Sequence, residues 1–177
     1  SSGALLTLST PATSNGTINI SNNGAITVAC SVTAGGVNTA TLASTSGNIL
    51  LTGSVSAAGS TVTINSAGNI SGAGAIVGST ADLDAASGIN VATQVATRDA
   101  DGSAAGSIVV VNSTGATLSL QTPSTSNGSI SVTNNAQITV STSVIAGGTN
   151  SANRNTTAGN VLLTGSVSAA GSTVTIN

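Results

Sequence analysis

Residues 50–65 read LLTGSVSAAGSTVTIN, and residues 162–177 repeat the same letters. The identity is part of a longer match, because residues 1–65 and 113–177 align without a gap at an offset of 112 and share 43 of 65 positions. Tandem repetition is typical of proteins that grow by stacking, in which each unit contacts mainly its neighbours. We therefore predict one continuous repeat structure, in which residues 66–112 complete the period.

The differences between the two copies follow a two-residue period. Ile18 and Ile20 of the first copy are matched by Ile130 and Val132 of the second, whereas the residue between them changes from asparagine to serine. One face of the segment stays aliphatic, while the other varies among small polar residues. This alternation predicts β-strands with one buried face, because successive side chains of a strand point to opposite sides.

The composition limits both the fold and the chemistry. The chain has no Phe, Trp, Tyr, Met, His, Lys or Glu, and only 3% of its residues are charged. Aliphatic side chains without aromatic rings fill only a narrow interior at normal packing density, so we expect an elongated body. Most enzyme classes lack their acid–base residues here, and we expect a non-enzymatic chain with no catalytic residue and no cofactor.

Short strands are predicted along the whole period. They cover residues 4–8, 17–20, 25–32, 48–55, 60–65, 69–77, 81–85, 89–95 and 107–111, with Gly, Asn and Ser in the gaps. No window has the apolar spacing of an amphipathic helix, so the predicted fold class is all-β. We favour a parallel β-helix (β-solenoid) with short loop insertions over residues 1–177, of roughly 20 residues per turn and about eight turns. An antiparallel sandwich for each period is the alternative.

Three phrases of the chain resemble a known family. They are NGTINISNNGAITV at 15–28, GNILLTGSVSAAGSTVTI at 47–64 and SAGNISGAGAI at 66–76, and they resemble the coils of filamentous-haemagglutinin-like large exoproteins, the two-partner-secreted adhesins. The resemblance implies a right-handed parallel β-helical shaft, export by a partner transporter, and display as a long fibre at the bacterial cell surface. It implies no catalytic residues.

The expected function is therefore structural. We expect the repeat shaft of a secreted, extracellular bacterial fibre or adhesin, which mediates surface display, adhesion, or cohesion between cells or with a matrix such as a biofilm. Its expected partners are further copies of itself in a long fibre, unless one very long chain forms the filament, and a ligand on a host or surface. A ligand- or ice-binding face at Thr61 and Thr63, repeated as Thr173 and Thr175, is the first alternative, and a polysaccharide-acting β-helix enzyme is the second.

Charge and hydropathy exclude two other classes of partner. The formal net charge is −2 and no basic patch is present, so we expect no nucleic-acid binding. The longest apolar runs, such as SIVVV at 107–111, are far shorter than the roughly 20 residues that a membrane-spanning helix needs. We therefore expect no membrane insertion.

The segment 33–46 differs most from its counterpart, 145–158. Leu42 and Ala43 of the first copy are replaced by Arg154 and Asn155 of the second. We expect an exposed loop that leaves the shaft, which is either a contact site for a host, a surface or a neighbouring fibre, or a freely varying loop.

The charges cluster between residues 82 and 101. Asp82 and Asp84 lie in ADLDA, and Arg98, Asp99 and Asp101 lie in TRDADGS. Carboxylates that alternate with small residues before a glycine are compatible with calcium at Asp99 and Asp101, but the later bidentate acid of an EF-hand loop is missing. The alternative that we favour is a solvated loop with a local pair between Arg98 and an aspartate, and no metal site.

Cys30 is the single cysteine, and Thr142 takes its place in the second copy. It continues the alternation of Ile26 and Val28, which predicts a small buried side chain rather than a reactive thiol.

Overall fold

The computed structural model describes residues 3–177, and every regular element in that range is a β-strand. The strands are β1 (Leu6–Leu8), β2 (Ala12–Thr13), β3 (Ile18–Asn22), β4 (Ile26–Val28), β5 (Val32–Ala34), β6 (Ala40–Ser44), β7 (Ile49–Leu51), β8 (Val55–Ser66), β9 (Ile70–Ala85), β10 (Ile89–Gln94), β11 (Thr97–Ala105), β12 (Ile108–Asn112), β13 (Leu118–Leu120), β14 (Ser124–Asn127), β15 (Ile130–Asn134), β16 (Ile138–Val140), β17 (Ser143–Ala146), β18 (Ala152–Thr156), β19 (Val161–Leu163), β20 (Ser166–Ala169) and β21 (Val174–Ile176).

The strands stack in parallel and form a β-solenoid of about eight turns. Each strand pairs with the strand that follows it about one turn later in the sequence, so the backbone ladder runs along the axis of the rod. One column of paired residues runs through the described range: Leu6, Ile26, Ile49, Ile70, Ile89, Ile108, Ile130, Ala152 and Val174. The predicted all-β class and the parallel solenoid are confirmed.

Each turn of the first copy has two short sides and one long side. In the first turn these sides are β1, β2 and β3, and in the second they are β4, β5 and β6. On the long side, β3, β6, the second part of β8, the second part of β9, and β11 follow one another. A flat wall of parallel strands therefore lies between two corners.

The interior is narrow and aliphatic. Buried and outward residues alternate along each strand, as in β4, where Ile26 and Val28 are fully buried. Ile, Leu, Val and Ala side chains from every turn join in one cluster. Burial of each larger aliphatic side chain contributes about 1.5–3 kcal/mol, and the ordering of the chain offsets most of the total.

Polar side chains close the corner after the long side. The Ser44 hydroxyl donates hydrogen bonds to the carbonyl oxygens of Gly24 at 2.8 Å and Gly47 at 2.9 Å, which joins one turn to the next. Asn22 one turn earlier and Ser66 one turn later make bonds of the same kind. Small polar residues at the corners thus satisfy carbonyl groups that the strand ladder leaves free.

The two copies have the same local pairing. The matched pairs are Leu6 with Ile26 and Leu118 with Ile138, then Ile18 with Ala40 and Ile130 with Ala152. The same sequence therefore makes the same stack twice.

The copies are nevertheless out of phase around the axis. β13, the copy of β1, lies on the start of β11 and so on the long side of the first copy, and β14 covers a later part of β11. β15, the copy of the long-side strand β3, lies on β12 in the column of β1. Long and short sides exchange places at this junction, so an offset of 112 residues corresponds to about five and a half turns.

Two strand predictions and one loop prediction are wrong. The predicted strand 48–55 consists of β7 and the first residue of β8, with a corner at 52–54. The predicted strand 25–32 is two strands, β4 and β5, with a corner at 29–31. The predicted exposed loop 33–46 contains the end of β5 and all of β6, whose Leu42 is fully buried. Only a short corner between those strands remains as a loop, because an outward loop of that length would remove β6 from the long-side wall.

The prediction for Cys30 is also wrong. Cys30 is exposed, because the chain turns after Val28 and the alternation does not continue through the corner. The next turn passes close over this point, and a Cβ atom on Gly53 would lie 1.0 Å from the Cys30 carbonyl oxygen.

Candidate functional surface

Four carboxylates form a small array on the outer face of the long side. Asp82 and Asp84 of β9 pair in register with Asp99 and Asp101 of β11. They point outward because they alternate with buried residues such as Leu83. Neighbouring strands lie about 4.8 Å apart, so the two pairs of like charges are close.

The array is held at the junction between the two copies. The Thr122 hydroxyl donates to both carboxylate oxygens of Asp99 at 3.1 Å, and the Ser124 backbone N–H donates to Asp101 Oδ1 at 3.0 Å. Partial burial, then the charges of Asp82, Asp101 and Asp99, raise the pKa of Asp84. Partial burial and the charge of Asp101 raise the pKa of Asp99, which the Thr122 hydrogen bond opposes.

A shallow groove of about 270 Å³ runs beside this array. Asp84, Asp101 and Ser66 are among its lining residues. Within residues 3–177, no group of three or more His, Cys, Asp or Glu side chains is arranged to hold a metal ion. The four aspartates thus form a charged patch on the outer wall, and the absence of a metal site at Asp99 and Asp101 stays a prediction.

Threonines lie next to the aspartates on the same wall. Thr61 stacks with Thr80 and then with Thr97, so one column of hydroxyl groups continues over three turns. The neighbouring column changes from Thr63 to Asp82, so the Thr-x-Thr pattern becomes Thr-x-Asp. In the second copy, Thr175 lies on an asparagine, Asn153.

The corners before β3 and β6, and those before their copies β15 and β18, carry ladders of amide groups. Asn38 Nδ2 donates to Asn15 Oδ1 at 3.0 Å, and Asn150 Nδ2 donates to Asn127 Oδ1 at 2.9 Å in the second copy. Val37 at the tip of the first corner is 82% exposed. Asparagine side chains thus stack on one another from one turn to the next at both corners.

The two arginines lie inside the solenoid, which corrects two predictions. Arg98 was expected in a solvated loop beside an aspartate, but it lies in β11 and is 1% exposed. Arg154 was expected in an exposed loop, but it lies in β18 with no exposed surface. The signal that could have located Arg154 is its counterpart, Leu42, which alternates with Ala40 in an aliphatic pattern.

Comparisons with known proteins add no family to these observations. No protein-family model matches the chain, and no curated protein or solved structure is significantly similar to it. Residues 3–177 contain no helix that is long and apolar enough to cross a membrane. The solenoid is compatible with the repeat region that the sequence resembles, and the family itself stays a prediction.

Proposed function

We propose that this chain is part of the shaft of an extracellular bacterial fibre or adhesin, with a structural rather than a catalytic role. The observation that carries the proposal is the continuous column of paired residues from Leu6 to Val174, together with the same local pairing in both copies. A structure of this kind extends by adding turns, so its length scales with the number of repeats.

The composition and the surface groups of the chain agree with a stable, protease-resistant scaffold. The two arginines, the only cleavage sites for a trypsin-like protease, are both buried. The outer surface offers hydroxyl and carboxylate groups along the long side and amide groups at the corners, which suits many weak contacts with a surface or a neighbouring fibre. Secretion, adhesion to a host or surface, and self-association belong to this proposal.

The test is to locate the protein on the cells that make it. Antibodies raised against the folded 177-residue chain should label filaments on intact cells, and negative-stain electron microscopy should resolve them. An antibody against a cytoplasmic enzyme, which should label only lysed cells, is the control. Labelling of this chain only after lysis would contradict the proposal.

Two further measurements separate the alternatives. Thermal hysteresis of the purified chain would favour an ice-binding wall around Thr61 and Thr80, and cleavage of an acidic polysaccharide would favour an enzyme. We expect no ice binding, because the column of Thr63 continues with Asp82 and Asp99. We expect no cleavage of polysaccharides, because the chain has no His, Lys, Glu or aromatic residue to serve as acid–base partner or sugar-stacking group.

A further inference from the structure

Two guanidinium groups lie in the aliphatic interior. Arg98 is 1% exposed and Arg154 has no exposed surface. In the first copy of the repeat, the position of Arg154 is taken by Leu42, which is equally buried and belongs to the hydrophobic core. The second copy thus has a cation where the first has a hydrocarbon side chain.

Most of the nitrogen atoms of these groups have no acceptor. Nε, Nη1 and Nη2 of Arg98 are buried without a hydrogen-bond partner, and so are Nε and Nη2 of Arg154. Nη1 of Arg154 donates to the carbonyl oxygen of Asn153 at 2.6 Å and weakly to that of Ile130 at 3.4 Å. Both acceptors are neutral carbonyl groups, so no carboxylate neutralises either guanidinium group by a hydrogen bond.

The two groups are near enough to repel each other. Their Cα atoms lie about two and a half turns apart, or about 12 Å along the axis at 4.8 Å per turn, on different columns of the interior. Burial, and then the charge on Arg154, lower the pKa of Arg98 to about 9, against the opposing effect of Asp99 outside the wall. The Arg154 side chain extends toward the turns of Arg98, since its Nη1 lies 3.4 Å from the carbonyl oxygen of Ile130 in the turn below.

Both groups keep their charge at neutral pH. Burial lowers the pKa of Arg154 to about 10, and the pKa of Arg98 also stays above neutrality. An unpaired buried cation costs several kcal/mol, and two in one interior cost more than two separate ones. A counter-charge inside the solenoid would remove most of this cost.

We propose that the solenoid interior binds one small monovalent anion, such as chloride, between the guanidinium groups of Arg98 and Arg154. The five unpartnered nitrogen atoms supply the N–H donors that such an anion needs. The neighbours in the same columns, Leu120 above Arg98 and Val132 below Arg154, are buried aliphatic side chains. A narrow, dry site of this kind favours a small, singly charged ion over a large or divalent one, whose desolvation costs more.

The experiment measures anion-dependent stability and binding for the whole 177-residue chain. At about pH 7 and constant ionic strength, replacement of sodium gluconate by sodium chloride should raise the unfolding temperature by about 5 °C. Sodium sulfate stabilises folded proteins in general by exclusion from their surface, so its effect should be the same for this chain and for Arg154→Leu. Chloride NMR line width should broaden in the presence of the folded chain, which reports binding directly.

Matched variants separate this site from general salt effects. Arg154→Leu restores the residue that the first copy has at this position, and it should abolish both the chloride-dependent stabilisation and the line broadening, as should Arg98→Leu. Asn155→Ala, at the exposed neighbour of Arg154, should retain both. Equal stability of the original chain in chloride and gluconate, without line broadening, would overturn the proposal even if a variant failed to fold.

Discussion

Gly53 illustrates how closely consecutive turns approach at a corner. Its amide and that of Thr52 both donate to the Val28 carbonyl oxygen, at 2.8 and 3.0 Å, and this contact brings Gly53 against the backbone of Cys30. Any larger side chain at this position would overlap the Cys30 carbonyl group. The second copy keeps a glycine here, Gly165, in the same close contact with the backbone of Thr142.

Gly53→Ala should therefore destabilise the solenoid by about 3 kcal/mol, the upper end of the usual cost of overpacking. Gly16→Ala is the matched control, because its added Cβ atom would meet only the Thr13 side chain at 3.6 Å and should change stability by less than about 0.5 kcal/mol. Urea unfolding followed by circular dichroism measures both. Equal midpoints for the two variants would show that the corner can relax.

Single residues mark the limit of what the sequence predicts. The alternation of Ile18 and Ile20 correctly predicts the inward face of β3, since a regular strand has a fixed period. The same argument fails at Cys30, because a corner resets the alternation without a distinctive residue. It also fails for Arg98 and Arg154, because the usual cost of burying a charge predicts the opposite location.

At the scale of elements, like charges repel each other where β9 pairs with β11. Four carboxylates face outward from these two strands, and the ladder fixes their spacing. The pKa values of Asp84 and Asp99 are raised above the usual 3.8. At a pH just above 3.8, the folded chain therefore binds more protons than the unfolded chain does.

The folded chain should therefore lose stability as the pH rises from about 4 through these raised pKa values, and it should be most stable on the acid side of this window. Asp84→Asn should stabilise the chain at neutral pH by about 0.5 kcal/mol, since like charges on adjacent strands are destabilising by roughly that amount. Thermal unfolding across the pH range measures both effects. Sodium gluconate at high concentration, which screens the repulsion, is the control and should reduce the gain from Asp84→Asn.

An increase in stability between about pH 4 and 6 would contradict this assignment. It would mean that favourable contacts of the carboxylates, such as that of Asp99 with Thr122, outweigh their mutual repulsion.

Strand β6 explains why some elements escaped prediction. Its sequence differs strongly from that of its copy, β18, and variation between copies is usual for loops. In a solenoid, however, a strand can differ between copies and still be part of the stack, because its inward side chains contact mainly those of the turns directly above and below. β3 is predicted correctly because its apolar residues alternate and recur in both copies. β7 lies within the predicted strand 48–55, which a corner at 52–54 divides.

At the scale of the whole molecule, the sequence does not predict how the second copy is rotated around the axis relative to the first. The length of a turn varies, with 20 residues from Leu6 to Ile26, 23 from Ile26 to Ile49 and 19 from Ile70 to Ile89. An offset in residues therefore cannot be converted to an angle around the axis without the register. Repetition and alternation were enough to predict a parallel solenoid of about eight turns.

The junction between the copies can be tested by cross-linking. In a Cys30→Ser background, Asp101→Cys with Ser124→Cys should be joined efficiently by a short thiol cross-linker, because these positions pair across neighbouring strands. Gln94→Cys with Ser124→Cys is the matched control. Ala12 is the counterpart of Ser124 in the first copy, and its column of paired residues ends at Gln94. Ser124 would therefore lie on Gln94 if both copies had the same orientation around the axis. Gel mobility and mass spectrometry identify the products. Preferential cross-linking of the Gln94 pair would mean that the copies repeat in whole turns.

The exchange of sides at the junction determines where each copy presents its exposed tips. The corner 35–38 precedes the long side, whereas its counterpart 147–150 stacks on the column of Gly24, Gly47 and Gly106, at the far end of that side. If further copies follow at the same offset, odd and even copies decorate opposite flanks, and the true axial period is two copies, about 11 turns or about 53 Å. Such a filament could link one neighbour on its left to another on its right, and so form flat sheets or rafts from a single repeated sequence.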